Sequence, residues 1–165
     1  MIAYKFLRPG GSSVFSEFRW AVAADALGEW IQAPVDPCRS GIHACRRSDL
    51  PYWVGHTLFE MEIDGAIVEE RTKVIAPRGR LLRRVVAWED GVRDAYTRMC
   101  ADRAHEHARA AALDAWDAGI DSSVPDGPAV LGFMAAAIAE QSGGTAAYRA
   151  ERAYQARWLV ERLGL

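Results

Sequence analysis

The sequence predicts an α+β fold, a small mixed or antiparallel sheet followed by an Ala-rich helical region, and three observations carry that expectation. Runs of β-branched and aromatic residues of strand length, one of them strictly alternating, are concentrated in the first 90 of the 165 residues. Beyond Gly91 the apolar residues recur at spacings of three and four and Ala becomes frequent, the mark of packed helices. The change falls at Asp90-Gly91 and is one of periodicity, since basic and acidic residues stay balanced on both sides. Residues 1–90 therefore read as a sheet-bearing unit, and 91–165 as a helical region packed on it or at a subunit interface. The length suits one ordinary domain with its own core.

Taken in order, Ile2 to Leu7 is a short strand stopped by Pro9-Gly10-Gly11. Gly41 to Cys45 fits a strand with Ile42 and Ala44 toward the core and His43 and Cys45 on the other face. Ser48 to Trp53 reads as a helix entry with Ser48 as N-cap. Thr57 to Ile63 places Thr57, Phe59, Met61 and Ile63 on one face and Leu58, Glu60 and Glu62 on the other, and Asp64-Gly65 offers a hairpin turn. Thr72 to Ile75 and Leu81 to Trp88 are further strands, separated by a break at Pro77-Arg78-Gly79. A helix runs from Val92 to about Ala118, with Tyr96, Met99, Cys100, Arg103 and His107 sharing a face. Pro125 to Pro128 reads as a loop. Ala129 to Gln141 and Thr145 to Leu163 are two more helices, the last with Tyr154, Trp158 and Leu165 as its apolar stripe.

Composition excludes several function classes. Twenty basic and 22 acidic residues give a net charge of −2, which argues against strong non-specific nucleic-acid binding. No window approaches the ~18 uninterrupted apolar residues of a membrane-spanning helix, and the start lacks a secretory pattern. Cys38, Cys45 and Cys100 form no disulfide framework, so a cytoplasmic, reduced protein is expected. Two features stand out. There are six Trp, and Lys5 and Lys73 are the only lysines among the basic residues. Large amphipathic rings line pockets and interfaces.

The segment Cys38 to Cys45 holds the densest set of chemically capable side chains. Cys38, His43, Cys45 and His56 lack the paired-ligand spacing of a zinc site, so no metal is expected. His43 reads either as a core histidine held by backbone hydrogen bonds or as the polar group of a ligand pocket. Glu60 and Glu62, about 7 Å apart on one strand face, are a candidate acid/base pair or a solvated strand edge. Arg78, Arg80, Arg83 and Arg84 cluster among acidic neighbours, which favours a salt-bridged surface over an anion site. His105-Glu106-His107 is not a metal pair, because neighbours at i and i+2 on a helix point apart.

The string C-x-S-G-I-H-A-C, with the strand L-F-E-M-E-I-D-G and then T-K-V-I-A-P, resembles a family of uncharacterised bacterial and phage domains over residues 2–87. More distantly, Gly41-Ile42-His43-Ala44, Ser48 to Tyr52 and Leu58 to Gly65 follow the order of features in the ADP-ribosyltransferase core. His43 stands where that family has Tyr. The resemblance implies NAD, or a nucleotide-like or aromatic molecule, as substrate. It implies Tyr52 and Trp53 as stacking rings and Arg8 as a residue of the first strand that contacts the ligand. An acidic group, drawn from Glu60, Glu62 and Glu70, would stabilise a developing oxocarbenium beside His43. The other class of function is a non-catalytic binding or interaction module, with Trp-rich surfaces and self-association through the C-terminal helices.

Overall fold

The computed structural model describes residues 1–16, 18–21, 27–36, 39–89, 91–113, 120 and 127–165. Cys38, Trp116 and Pro125-Asp126 of the expected loop lie outside them, whereas Gly127 and Pro128 already belong to a helix, and the helix expected to reach about Ala118 ends at Ala110. The chain divides into two compact units, Met1–Glu89 and Asp90–Leu165. It is α+β, with antiparallel sheets in the first unit and long helices in the second.

Among its described residues the first unit holds seven strands: β1 (Ile2–Leu7), β2 (Ile31–Gln32), β3 (Ile42–Ala44), β4 (Thr57–Asp64), β5 (Val68–Glu69), β6 (Val74–Ala76) and β7 (Arg78–Arg84). One sheet has the order β1-β4-β7-β2 and the other β3-β6-β5, with every pair antiparallel. Alternation explains the layering. Ala3 and Leu7 of β1, Phe59, Met61 and Ile63 of β4, and Leu81 of β7 share one core with Ile42, Ala44, Val74 and Ala76 of the second sheet. The sheets approach closely at Gly79, where a Cβ would come within 2.8 Å of Ile42 Cγ2 and 3.0 Å of Met61 Cε. The other face of the first sheet is also covered: Phe6 meets Trp88 edge-on, and the Trp88 indole N–H donates to the Gly55 carbonyl at 3.1 Å.

Several local expectations are corrected. Asp64-Gly65 does not close a hairpin: β4 pairs with β1 and β7, while β5 pairs with β6, so the bend hands the chain to the second sheet. The strand expected at Leu81 to Trp88 begins earlier and ends at Arg84, because the hydrogen-bonded register with β4 extends through Arg78 and Gly79; Val86–Trp88 is a 3-10 turn. The helix entry at Ser48 is a 3-10 helix, Arg47–Tyr52, flanked by Arg46. There the Asp49 carboxylate accepts from the Arg46 backbone N–H at 3.2 Å and from Arg46 Nε at 2.6 Å, which does the capping that Ser48 was expected to do.

The second unit holds α1 (Val92–Ala110) and α2 (Gly127–Leu163), the latter broken at Gly144, whose φ of +64° is non-helical. Ala104 and Ala108 pack with Ala135 and Ile138, and the three alanines let the helices approach. The expected Tyr154/Trp158/Leu165 stripe is not the buried face. Those rings are half-exposed, and Glu151, Arg152, Gln155, Ala156, Leu159 and Leu163 turn inward instead. What replaces the apolar stripe is a polar network. Glu151, 2 % exposed, accepts from Arg103 at 2.7 Å and meets His107 Nε2 at 2.9 Å, while the Gln155 amide donates to its other oxygen at 3.0 Å. Gln155 also donates to the Gly132 carbonyl and accepts from Tyr96 and Arg152. No helix is long and apolar enough to cross a membrane among the described residues.

Candidate functional site

The first unit contains a cavity of about 350 Å³. β1 and β3 supply its floor through Lys5 and His43, with Cys45 just beyond β3, Ser13–Ser16, Phe18 and Trp20 one wall, and Trp53 and Lys73 another. β3 can reach it because Gly41 turns the chain with φ +115°, where a Cβ would lie 2.5 Å from Ile75 Cγ2. Ile42 and Ala44 then plug into the core, and His43 faces the cavity half-buried.

The polar end is built from both lysines of the chain. Lys5 lies on the core-facing row of β1, between the fully buried Ala3 and Leu7 and opposite Phe59. It is half-buried and lines the cavity. Its Nζ donates to the His43 carbonyl at 2.7 Å and sits 5.3 Å from the centre of the Trp20 ring. Desolvation pushes its pKa down to about 8. Lys73 reaches the His43 ring itself, Nζ to Nδ1 3.4 Å, and pairs with Glu70 at 3.3 Å. Burial first, and Lys73 second, hold the His43 imidazole below its usual pKa, against a hydrogen bond with the Ser40 backbone. At neutral pH the ring is uncharged, and Nδ1 serves as acceptor for the Lys73 ammonium.

The aromatic wall is ordered by its own contacts. Trp20 donates from Nε1 to Ser13 Oγ at 3.0 Å and meets Phe18 edge-on at 5.4 Å; Trp53 donates to the Thr72 carbonyl and meets Phe15 edge-on at 5.6 Å. Phe15 is itself 81 % exposed, so a large apolar ring stands open to solvent at the cavity's edge. Cys45, beside Lys5, donates to the Tyr4 carbonyl at 3.3 Å, and burial pushes its thiol pKa far up. It is a packed thiol and not a nucleophile.

Of the candidate residues, His43 and Trp53 line the cavity, and Glu70 joins it through Lys73. Glu60 and Glu62 are elsewhere. They cross-pair on β4 with Arg83 at 2.6 Å and Arg80 at 2.8 Å, and β3 pairs with β6, so that carboxylate face does not adjoin His43. Arg78 pairs likewise with Asp64 of β4, Arg84 pairs with Glu89 beyond β7, and Arg78 and Arg80 both lie against the Trp30 ring, which makes the arginine cluster a salt-bridged surface. Arg8 is exposed in the turn after β1, and Tyr52 sits at the end of the 3-10 helix; neither lines the cavity. Sequence reasoning passed over Lys5, Lys73 and Trp20. The available signal was the scarcity of lysine and the placement of one of the two inside an apolar strand. Among the described residues no group of three His, Cys, Asp or Glu side chains could hold a metal ion.

Comparison with known protein families, with curated proteins and with solved structures finds no match.

Proposed function

We propose that the first unit binds a planar, anionic small molecule of the nucleotide-like or aromatic class. One observation carries this reading: both lysines of the chain converge on His43 beneath Trp20 and Trp53, in a cavity lined by no carboxylate among the described residues. A ligand's ring would lie against the indoles. Its anionic group would be taken by Lys73 and by Arg39, which also lines the cavity. The volume falls in the range of small-molecule sites, which run from about 300 Å³ upward.

NAD is the specific candidate the resemblance supplies. Turnover of NAD requires an acid near the developing oxocarbenium, and Glu70 is the carboxylate that ion pairing ties to the site. Thermal shifts with NAD, ADP-ribose, AMP, nicotinamide and terephthalate, repeated on His43→Ala and Trp53→Ala, test the binding reading. Stabilisation by at least one anionic ring compound, reduced in both variants, is expected. Absence of any shift would sink it. Release of nicotinamide from NAD, abolished by Glu70→Gln, would add catalysis to binding.

A specific observation also supports the interaction-module reading for the second unit. Val130 and Phe133 are 41 % and 55 % exposed and lie three residues apart on α2, on one side of the helix. Light scattering after size exclusion, on wild type and Phe133→Glu, decides whether the helices self-associate. A monomeric wild type would end that reading.

A further inference from the structure

We propose that Lys5 is a covalent anchor of the cavity: its amine condenses with the carbonyl carbon of an aldehyde or ketone ligand to form an imine. This rests on the reading of the cavity as a small-molecule site, and names the chemistry that site would add. The argument starts from placement. Strand alternation puts Lys5 in the row of β1 that faces the core, where its sequence neighbours on that face, Ala3 and Leu7, have no solvent contact. Among the described residues it enters no ion pair. Its Nζ contacts the His43 carbonyl at 2.7 Å and the Trp20 ring at 5.3 Å, and a neutral amine keeps the first of these through one N–H. The second lysine of the cavity, Lys73, contacts His43 at the ring nitrogen Nδ1 and has Glu70 as counter-charge. Desolvation is the device that turns this lysine toward a nucleophile at neutral pH.

With its pKa lowered to about 8 by burial, roughly a quarter of Lys5 is unprotonated at pH 7.5, against about 0.1 % for an ordinary lysine. The hydrogen bond to the His43 carbonyl fixes one N–H and leaves the lone pair to the cavity. That lone pair adds to the carbonyl carbon as the C=O π pair moves to oxygen. A proton passes from nitrogen to that oxygen to give the carbinolamine. Loss of water then forms C=N. The sum is amine plus carbonyl to imine plus water, with no change of oxidation state. The nearby thiol does not compete, because burial keeps Cys45 protonated.

Two measurements on the full chain test this. Trace acetylation with acetic anhydride from pH 6.5 to 10.5, followed by peptide mass mapping, reads the titration of Lys5 itself. A midpoint near 8, and labelling at pH 7.5 about tenfold faster than in the urea-unfolded chain, is expected. A midpoint at the ordinary lysine value near 10.4 would overturn the proposal. Incubation with 4-formylbenzoate, a planar anionic aldehyde, and cyanoborohydride is expected to give one adduct, mapped to Lys5. Lys73→Arg should retain it, and Lys5→Arg and Lys5→Met should lose it with their circular dichroism intact. The wild-type map stands by itself if those variants fold poorly. An adduct spread evenly over Lys5, Lys73 and the terminal amine overturns the assignment. Terephthalate, which has no aldehyde, separates the two readings. If it stabilises the protein and the aldehyde leaves Lys5 unmarked, the imine fails and the pocket stands. If neither binds, both fail.

Discussion

Two clusters of ionisable side chains, one in each unit, handle buried charge in opposite ways. Around Glu151 the carboxylate is fully engaged: Arg103 supplies a positive partner, His107 Nε2 meets the same oxygen, Gln155 fills the remaining one, and Arg103 reaches on to Glu106 at 2.8 Å. Around His43 positive charge predominates among the described residues, with Lys5 set among apolar residues and Lys73 paired with Glu70. A satisfied network rigidifies helices whose apolar residues are mostly Ala. An unbalanced one weakens the fold at that point and persists where a ligand's own charge or chemistry completes it. The contrast, more than the presence of any one residue, separates a structural core from a candidate site.

The contrast can be broken from either side. The largest effect is expected for Glu151→Ala, which strands Arg103 and His107 and should cost about 3–5 kcal/mol in urea unfolding. Glu151→Gln, which keeps the shape, should cost less. Burial pushes the Glu151 carboxyl up, but its bonds from Arg103, His107 and Gln155 outweigh that and its pKa is lowered overall. Its contribution is therefore present above the usual carboxylate range and lost as pH falls through the folded value.

Lys5→Met should act in the reverse sense and stabilise by about 2 kcal/mol at pH 7, the relieved desolvation less one lost hydrogen bond. The sign with pH follows from a folded pKa near 8, below the unfolded value near 10.4. The unfolded chain binds the extra proton between those values, so the Lys5 penalty shrinks as pH rises from 8 to 10.5 and the advantage of Met fades with it. The difference between wild type and variant is the quantity to measure, because Cys45 and Cys100 have raised pKa values, the latter about 12, and push the opposite way. A constant difference across that range would contradict the desolvated amine.

His43 should give a smaller effect of the same kind. Its lowered pKa makes wild type lose stability as pH falls below the usual histidine range, and His43→Gln should flatten that loss in acid unfolding curves. The smallest change is expected for Arg80→Ala on the salt-bridged surface, within about 1 kcal/mol. A larger cost there would mean that the stack on Trp30 carries more than the ion pair with Glu62.

Much of the first unit was legible because its signals are local. The alternation of β4 reports its own faces, and Gly41 before Ile42-His43-Ala44 marks the bend that presents His43. Trp53 beside Tyr52 was readable as a ring near His43, although which of the two enters the cavity depends on how a 3-10 helix ends. Lys5 was harder, since one lysine in a strand ordinarily signals the solvent face. That its face is the core face follows only from pairing with Phe59, 54 positions away by number, and from the second sheet closing over it. Glu151 was hidden for a similar reason. A Glu and a Gln four apart on a helix look like a wet surface, and only the approach of Arg103 and His107 from α1 turns that surface inward. Glu60 and Glu62 showed the converse: the spacing was right, but the register with β7 spends both carboxylates on arginines.

Lys5 and Trp20 together have an optical consequence. An ammonium 5.3 Å from the centre of an indole ring imposes a strong local field on it. When that ammonium loses its proton, or is consumed in a bond to carbon, the field collapses and the emission of Trp20 shifts. The cavity thus carries its own dye. Fluorescence of the unlabelled protein, compared with a Trp20→Phe variant, would follow the charge on a single amine in real time.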